Sequence, residues 1–166
     1  MTVSPDDRAA LATLAAQVQY LIDRAAVSDA LIAFAHAVDT RDWDGYADLY
    51  EPEGELSLPF SDTDGAPGGH RGRAGLAEYL SSHLSRFAGT QHMSTNHAIE
   101  IEGDVARTRS YCQCIHRLSD DDPGLVWEIG GWYDCELVRR PDLTWGFRTV
   151  RLSMTWENQT LPNAER

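Results

Sequence analysis

The hydrophobic period of this chain changes once, and that change limits its fold more than any other feature. Residues 8–38 contain neither glycine nor proline, and Leu31, Phe34, Ala35 and Val38 recur on one helical face. From residue 91 onward the apolar positions alternate, as they do in strands with one buried face. Helices followed by strands in consecutive, turn-linked pairs specify an α+β chain in which an antiparallel sheet curls around the helices.

Local signals refine this order. Ser4-Pro5-Asp6-Asp7 reads as a helix start: a serine cap, proline at the first helical position, and acids at the positive end of the helix dipole. The helical part is expected over about residues 5–50, with a bend near 23–28 and a short second helix capped by Asp42. A short strand is expected over GELSLPF, then a turn-rich loop over 61–72 as a candidate lid, then a helix over 74–87 carrying Leu76, Leu80, Leu84 and Phe87. The sheet is expected mainly over 91–156, with turns at Gly103-Asp104, at the acidic stretch before Gly124, and at Pro141-Asp142. No repeat or linker interrupts residues 1–166, which read as one domain.

Charge and cysteine content narrow the function classes. A formal net charge of −12 disfavours nucleic acid and anionic membrane surfaces, both of which reward clustered Lys and Arg. No apolar run is long enough to span a bilayer, and the N-terminus lacks the basic segment and apolar core of a secretory signal, so a cytoplasmic protein is expected. The cysteines Cys112, Cys114 and Cys135 are odd in number and are read as reduced packing residues.

Alternation assigns faces. In one strand Ala106, Thr108, Ser110, Cys112, Cys114 and His116 point one way and Arg107, Arg109, Tyr111, Gln113 and Ile115 the other. The first set is small, so a sheet face built from it leaves room for a cavity against the helices. In the preceding strand His92, Ser94 and Asn96 share a face, with His97 opposite and read as structural or outward. In the following strand Trp132 and Asp134 lie opposite Trp127 and Tyr133. Trp127, Tyr133, Trp145 and Trp156 are read as core or interface packing, and His36, His70 and His83 as surface residues.

One residue breaks the helical pattern. Asp39 follows Leu31 and Ala35 on the apolar stripe, where an unpaired carboxylate is costly. A histidine from the first long strand or from the end of the second would pair with it. An aspartate beside an imidazole in an apolar pocket orients the ring and raises its basicity, which suits proton transfer near neutral pH.

The segments VDTRDWD, TQHMSTNHAIEIEGD, ARTRSYCQCIH and GGWYDCELVRR, in this order over residues 17–156, resemble the SnoaL-like branch of the nuclear transport factor 2-like superfamily. That branch includes scytalone dehydratase and hexachlorocyclohexane dehydrochlorinase. The resemblance implies a cone-shaped α+β barrel, with helices closing a curved sheet around a pocket and no cofactor or metal ion. It implies a catalytic Asp39–His92 dyad, with Trp43 bordering the pocket. It also implies a homo-oligomer paired through the sheet, a dimer or a trimer. On the same alignment Cys112 occupies the position of the dehydratase's second histidine, with His116 further along that face. Trp132 and Asp134 occupy positions of its pocket serine and asparagine, and Val38 that of a tyrosine. Tyr50 joins Asp134 and His116 as a candidate acid or oxyanion donor.

The reading that follows is a cofactor-independent enzyme that abstracts a proton from a small apolar, cyclic substrate, as a dehydratase, isomerase or cyclase in secondary metabolism or catabolism. The other reading is a non-catalytic ligand-binding or assembly module, such as a dioxygenase small-subunit-like protein.

Overall fold

A computed structural model describes residues 4–61 and 67–159. The elements run α1 (Pro5–Thr40), α2 (Trp43–Asp48), β1 (Tyr50–Ser61), β2 (Pro67–Arg71), α3 (Leu76–Leu84), β3 (Gly89–Glu102), β4 (Val105–Arg117), β5 (Val126–Arg139) and β6 (Trp145–Gln159). Ser4 caps α1 by accepting from the Asp7 N–H, with Pro5 opening the helix. Asp42 caps α2 by accepting from the Gly45 N–H at 3.0 Å. The helical hydrogen bonding of α1 continues without a break through 23–28, where a bend is expected, because nothing in that stretch removes a backbone donor.

The six strands form one curved, unclosed sheet in the order β2-β1-β6-β5-β4-β3. Four of its pairings are antiparallel, but β1 runs parallel to β6, so the sheet is mixed rather than wholly antiparallel. A parallel pair needs a long crossover, and everything between β1 and β6 supplies it. Part of the expected 61–72 loop is strand β2, paired with β1; the remainder of the candidate lid, residues 62–66, lies outside the described residues.

Bulges bend the sheet. The β3–β4 register slips between Thr95 and Ala98, and Asn96 takes the left-handed conformation at φ 56°. The slip reverses the facing of the residues beyond it. His97, expected to be structural or outward, points toward α1, where Ser28 Oγ meets its Nδ1 at 2.8 Å and Ser94 Oγ its Nε2 at 3.2 Å. The β5–β6 register slips at Gly130-Gly131, where a Cβ on Gly131 would sit 2.0 Å from the Ser153 carbonyl oxygen.

The core fills one end of the cone. Phe34 of α1 packs its ring 5.0 Å from Tyr46, 5.1 Å from Tyr133 and 5.7 Å from Phe147, centroid to centroid. Val27 and Leu31 extend this layer, and Ala106, Leu137 and Val150 meet it from the sheet. The three cysteines are free and buried. Among the described residues no helix is long and apolar enough to cross a membrane.

A helix laid along an edge strand must answer that strand's unpaired backbone groups. Arg24 donates to the carbonyls of His97 and Ile99 at 3.4 and 3.3 Å. Deeper, the Arg139 guanidinium donates twice to the buried Asp23 carboxylate, which also accepts from Gln19, and stacks 4.5 Å over Trp145. Asp23→Ala leaves that guanidinium without its buried partner, and urea unfolding is expected to register a loss of about 3 kcal/mol.

Candidate active site

The site is built where α1 runs out. Asp39 lies in its last turn, at the negative end of the helix dipole, a poor place for a second negative charge. Three donors from β3 compensate. Its Oδ1 accepts from Thr90 Oγ1 at 3.0 Å and from His92 Nδ1 at 2.8 Å, and its Oδ2 accepts from the His92 N–H at 2.7 Å. Burial pushes the Asp39 carboxyl up, but the hydrogen bonds from His92 and Thr90 outweigh it and hold the group below the usual carboxylate range. Asp39 is therefore an anion at neutral pH.

That anion sets the tautomer of His92. A carboxylate only accepts, so Nδ1 carries the proton and Nε2 is the ring nitrogen left to act in the cavity that His92 lines. The His92 side chain is 9% exposed.

The cavity is about 740 Å³. Its walls are mainly apolar: Leu56, Leu58 and Phe60 from β1, Leu80 and Leu84 from α3, and Leu152 and Met154 from β6, with Phe87 beyond α3. Polar groups converge at one side, where His92, His116, Cys114 and Tyr133 meet, and Arg86, His83 and Glu157 add further polar lining. A mostly apolar cleft with few polar groups is the usual form of a small-molecule site. Among the described residues no three His, Cys, Asp or Glu side chains converge to hold a metal ion.

His116 differs from His92 in its environment. Its ring stands edge-on to His92 at 5.3 Å between centroids and lies against Phe87 and Trp127, each at 4.7 Å. Burial, then the charge of His92, pushes its pKa down to about 4, so it is neutral at pH 7. Its Nδ1 lies 3.3 Å from the Trp127 carbonyl, which only accepts, so the proton is on Nδ1 and Nε2 keeps its lone pair. Tyr133 is held protonated by burial, with its hydroxyl 3.4 Å from Cys114 Sγ.

Of the residues singled out in the sequence, Asp39 and His92 meet each other, and His92 and His116 line the cavity. Others do not. Trp132 and Asp134 lie on the convex face of the sheet, where Asp134 takes two hydrogen bonds from Arg109 at 2.6 and 2.9 Å and the Arg109 guanidinium covers Trp132. The alternation along β5 had already put them opposite Tyr133, and the Tyr133 side is the cavity side. Tyr50 sits one layer behind the cavity, fully buried, its hydroxyl 2.9 Å from that of Tyr46. Cys112 is buried in the core and Trp43 packs against it, and neither lines the cavity.

The structure adds cavity residues that sequence reasoning set aside. Trp127 and Tyr133 line it rather than only filling the core, and His83 lines it rather than facing solvent. For Trp127 and Tyr133 a signal was present, since both share the inward parity of Ile129. His83 follows Leu76 by seven residues and Leu80 by three, so the apolar stripe of α3 carried a signal for it as well.

Comparison with known proteins places this geometry. The family model described as a SnoaL-like domain matches residues 19–151. Uncharacterized protein Rv2910c of Mycobacterium tuberculosis is 28% identical over 135 residues, covering 81% of this chain and 85% of that one. Among solved structures, a candidate scytalone dehydratase from Novosphingobium aromaticivorans superposes with a TM-score of 0.74 at 22% identity, covering 89% of this chain and 94% of that one. A type 2 hexachlorocyclohexane dehydrochlorinase (LinA) superposes with a TM-score of 0.74 at 20% identity, covering 90% and 99%. At these identities the two structures establish a shared fold.

The buried His116 makes stability depend on pH. Its folded pKa of about 4 lies below the ordinary 6.5, so the unfolded chain takes up the proton first as pH falls. Its contribution is complete above about pH 6.5 and is lost between there and about pH 4, a loss of roughly 3 kcal/mol. Urea unfolding of His116→Gln is expected to show a flatter decline over that window than the parent protein.

Proposed function

The chain belongs to the SnoaL-like domain family, and from that premise we propose that it is a cofactor-independent enzyme whose Asp39–His92 pair moves a proton on a small, apolar, cyclic substrate. One observation carries the reading: the 2.8 Å bond that holds the His92 ring through Nδ1 and leaves Nε2 to the mainly apolar cavity of about 740 Å³. An assembly module could use Asp39 to hold the β3 edge, but it gains nothing from the mainly apolar cavity that His92 lines. A base held at the cavity wall uses that volume.

In this mechanism His92 Nε2 takes a proton from carbon or oxygen of the bound substrate, and Asp39 stays ionised to stabilise the imidazolium. The same imidazolium then returns the proton. Returned to another carbon it completes an isomerisation, and delivered to a departing hydroxyl it completes an elimination. The protonated Tyr133 hydroxyl is the donor placed to meet oxyanion charge as it develops. His116, neutral and offering an Nε2 lone pair, accepts from a substrate hydroxyl and so orients it. Tyr50 and Asp134, which lie outside the cavity, take no part. The structural relatives described as a scytalone dehydratase and a hexachlorocyclohexane dehydrochlorinase, both named for eliminations from rings, support the substrate class.

The test does not require the natural substrate. Cyclic ketones are incubated in deuterium oxide with the protein, and loss of α-proton signal is followed by NMR. Halogenated cyclohexanes are followed in parallel by chloride release. The expected result is catalysed exchange or release that falls about 10²- to 10⁴-fold in His92→Ala and in Asp39→Asn. Full activity in both variants sinks the dyad. Tight ligand binding with no exchange, equal in the parent and in Asp39→Asn, identifies a binding module instead.

A further inference from the structure

The first half of α1 has no place in the site or the core. Residues 5–22 project past the sheet, every one exposed, over about 27 Å. They are not polar. Leu11, Leu14, Leu21 and Ile22 are 58, 55, 61 and 55% exposed, and Val18 and Tyr20 lie close behind.

The apolar positions are ordered. Leu11, Leu14, Val18, Leu21 and Ala25 follow the three-and-four spacing of a helix–helix seam. Counting at 3.6 residues per turn, this seam lies across the helix from Val27, Leu31 and Phe34, which pack on the sheet. So α1 carries two apolar faces, and the core covers one. An isolated helix segment of this length is marginal in water, and most helical stability comes from burying an apolar face.

Charge says what covers the other. Residues 9–22 contain no Asp, Glu, Lys or Arg, in a chain whose formal net charge is −12. Two such chains repel over most of their surfaces, and a charge-free helix is where they can touch without opposing like charges. Ala10 and Ala15 flank the seam and permit close approach of a second backbone. The same composition argues against a lipid surface, since interfacial helices keep Lys and Arg on their polar face. The convex face of the sheet is a different kind of surface. Its charges are largely spent on one another, as in the Arg109–Asp134, Arg107–Glu136 and Arg148–Glu136 pairs.

We propose that the outer face of α1 is the surface through which two copies of this chain pair, seam against seam about a two-fold axis. Helix supplies this contact, in place of the sheet pairing that the family resemblance implies.

Analytical ultracentrifugation at micromolar concentration tests it, with Leu14→Glu plus Val18→Glu, Leu14→Ala plus Val18→Ala, and Tyr111→Glu on the convex face. Glu and Ala are both good helix formers, and both α1 sites are exposed, so circular dichroism and thermal unfolding verify an intact body. The expected result is a dimer for the parent protein and for Tyr111→Glu. The alanine variant is expected to dimerise at least about tenfold more weakly, and the glutamate variant to be monomeric. A monomeric parent protein overturns the proposal, as does a glutamate variant that remains dimeric. So does a Tyr111→Glu variant that alone dissociates. Co-sedimentation of a monomeric parent protein with phosphatidylcholine–phosphatidylglycerol vesicles, lost in the glutamate variant, assigns the seam to lipid and overturns it as well.

Discussion

The carboxylate of Asp39 ties the two halves of this molecule together. It ends a helix of 36 residues and accepts two side-chain donors and one backbone donor from an edge strand. Edge strands present unpaired N–H and C=O groups that must be answered. Along β3 the helix answers them in sequence, with Arg24 at the carbonyls of His97 and Ile99 and Asp39 at the amide of His92. The contact that closes the sheet edge is thus the contact that orients the candidate base. Position of the helix on the sheet and orientation of the ring share this one contact.

The cavity exists because the filling material ends in the right place. Phe34 plugs the cone against Tyr133 of β5 and Phe147 of β6, Val27 and Leu31 extend that layer, and the last turn of α1 is held at the β3 edge through Asp39. There β4 offers Cys114 and His116, and α3 and Phe87 form a wall too distant to fill the gap. Two imidazoles share this space in opposite electrostatic settings. His92 is backed by an anion. His116 is backed by a carbonyl and sandwiched between aromatic rings, so burial holds it neutral.

Particular residues show where sequence reading succeeds and fails. Asp39 was legible because an acid on an apolar helical stripe demands a partner, and His116 because it closes a run of small inward residues. His97, read as structural or outward, was placed on the wrong face because a single bulge at Asn96 reverses strand parity, and whether an asparagine bulges depends on its neighbour strand. Trp132 and Asp134 were drawn toward the pocket by alignment with a distant relative, against their own alternation. Alternation prevailed, because a strand cannot turn a side chain through its own sheet. Tyr50 was aromatic, well placed and wrong by one packing layer, a distance that sequence spacing does not encode.

By itself, the sequence determined the order of elements, the caps of α1 and α2, the inward faces of β4 and β5, and the anomaly at Asp39. All of these follow from local period and local hydrogen bonding. Only the tertiary structure decided that β1 joins β6 in parallel, that β2 forms inside an apparent loop, and that a bulge turns His97 toward α1. It alone decided that His116 is stripped of solvent. Each of these depends on which distant groups arrive beside one another, and the energies of burial and pairing are set by that arrival.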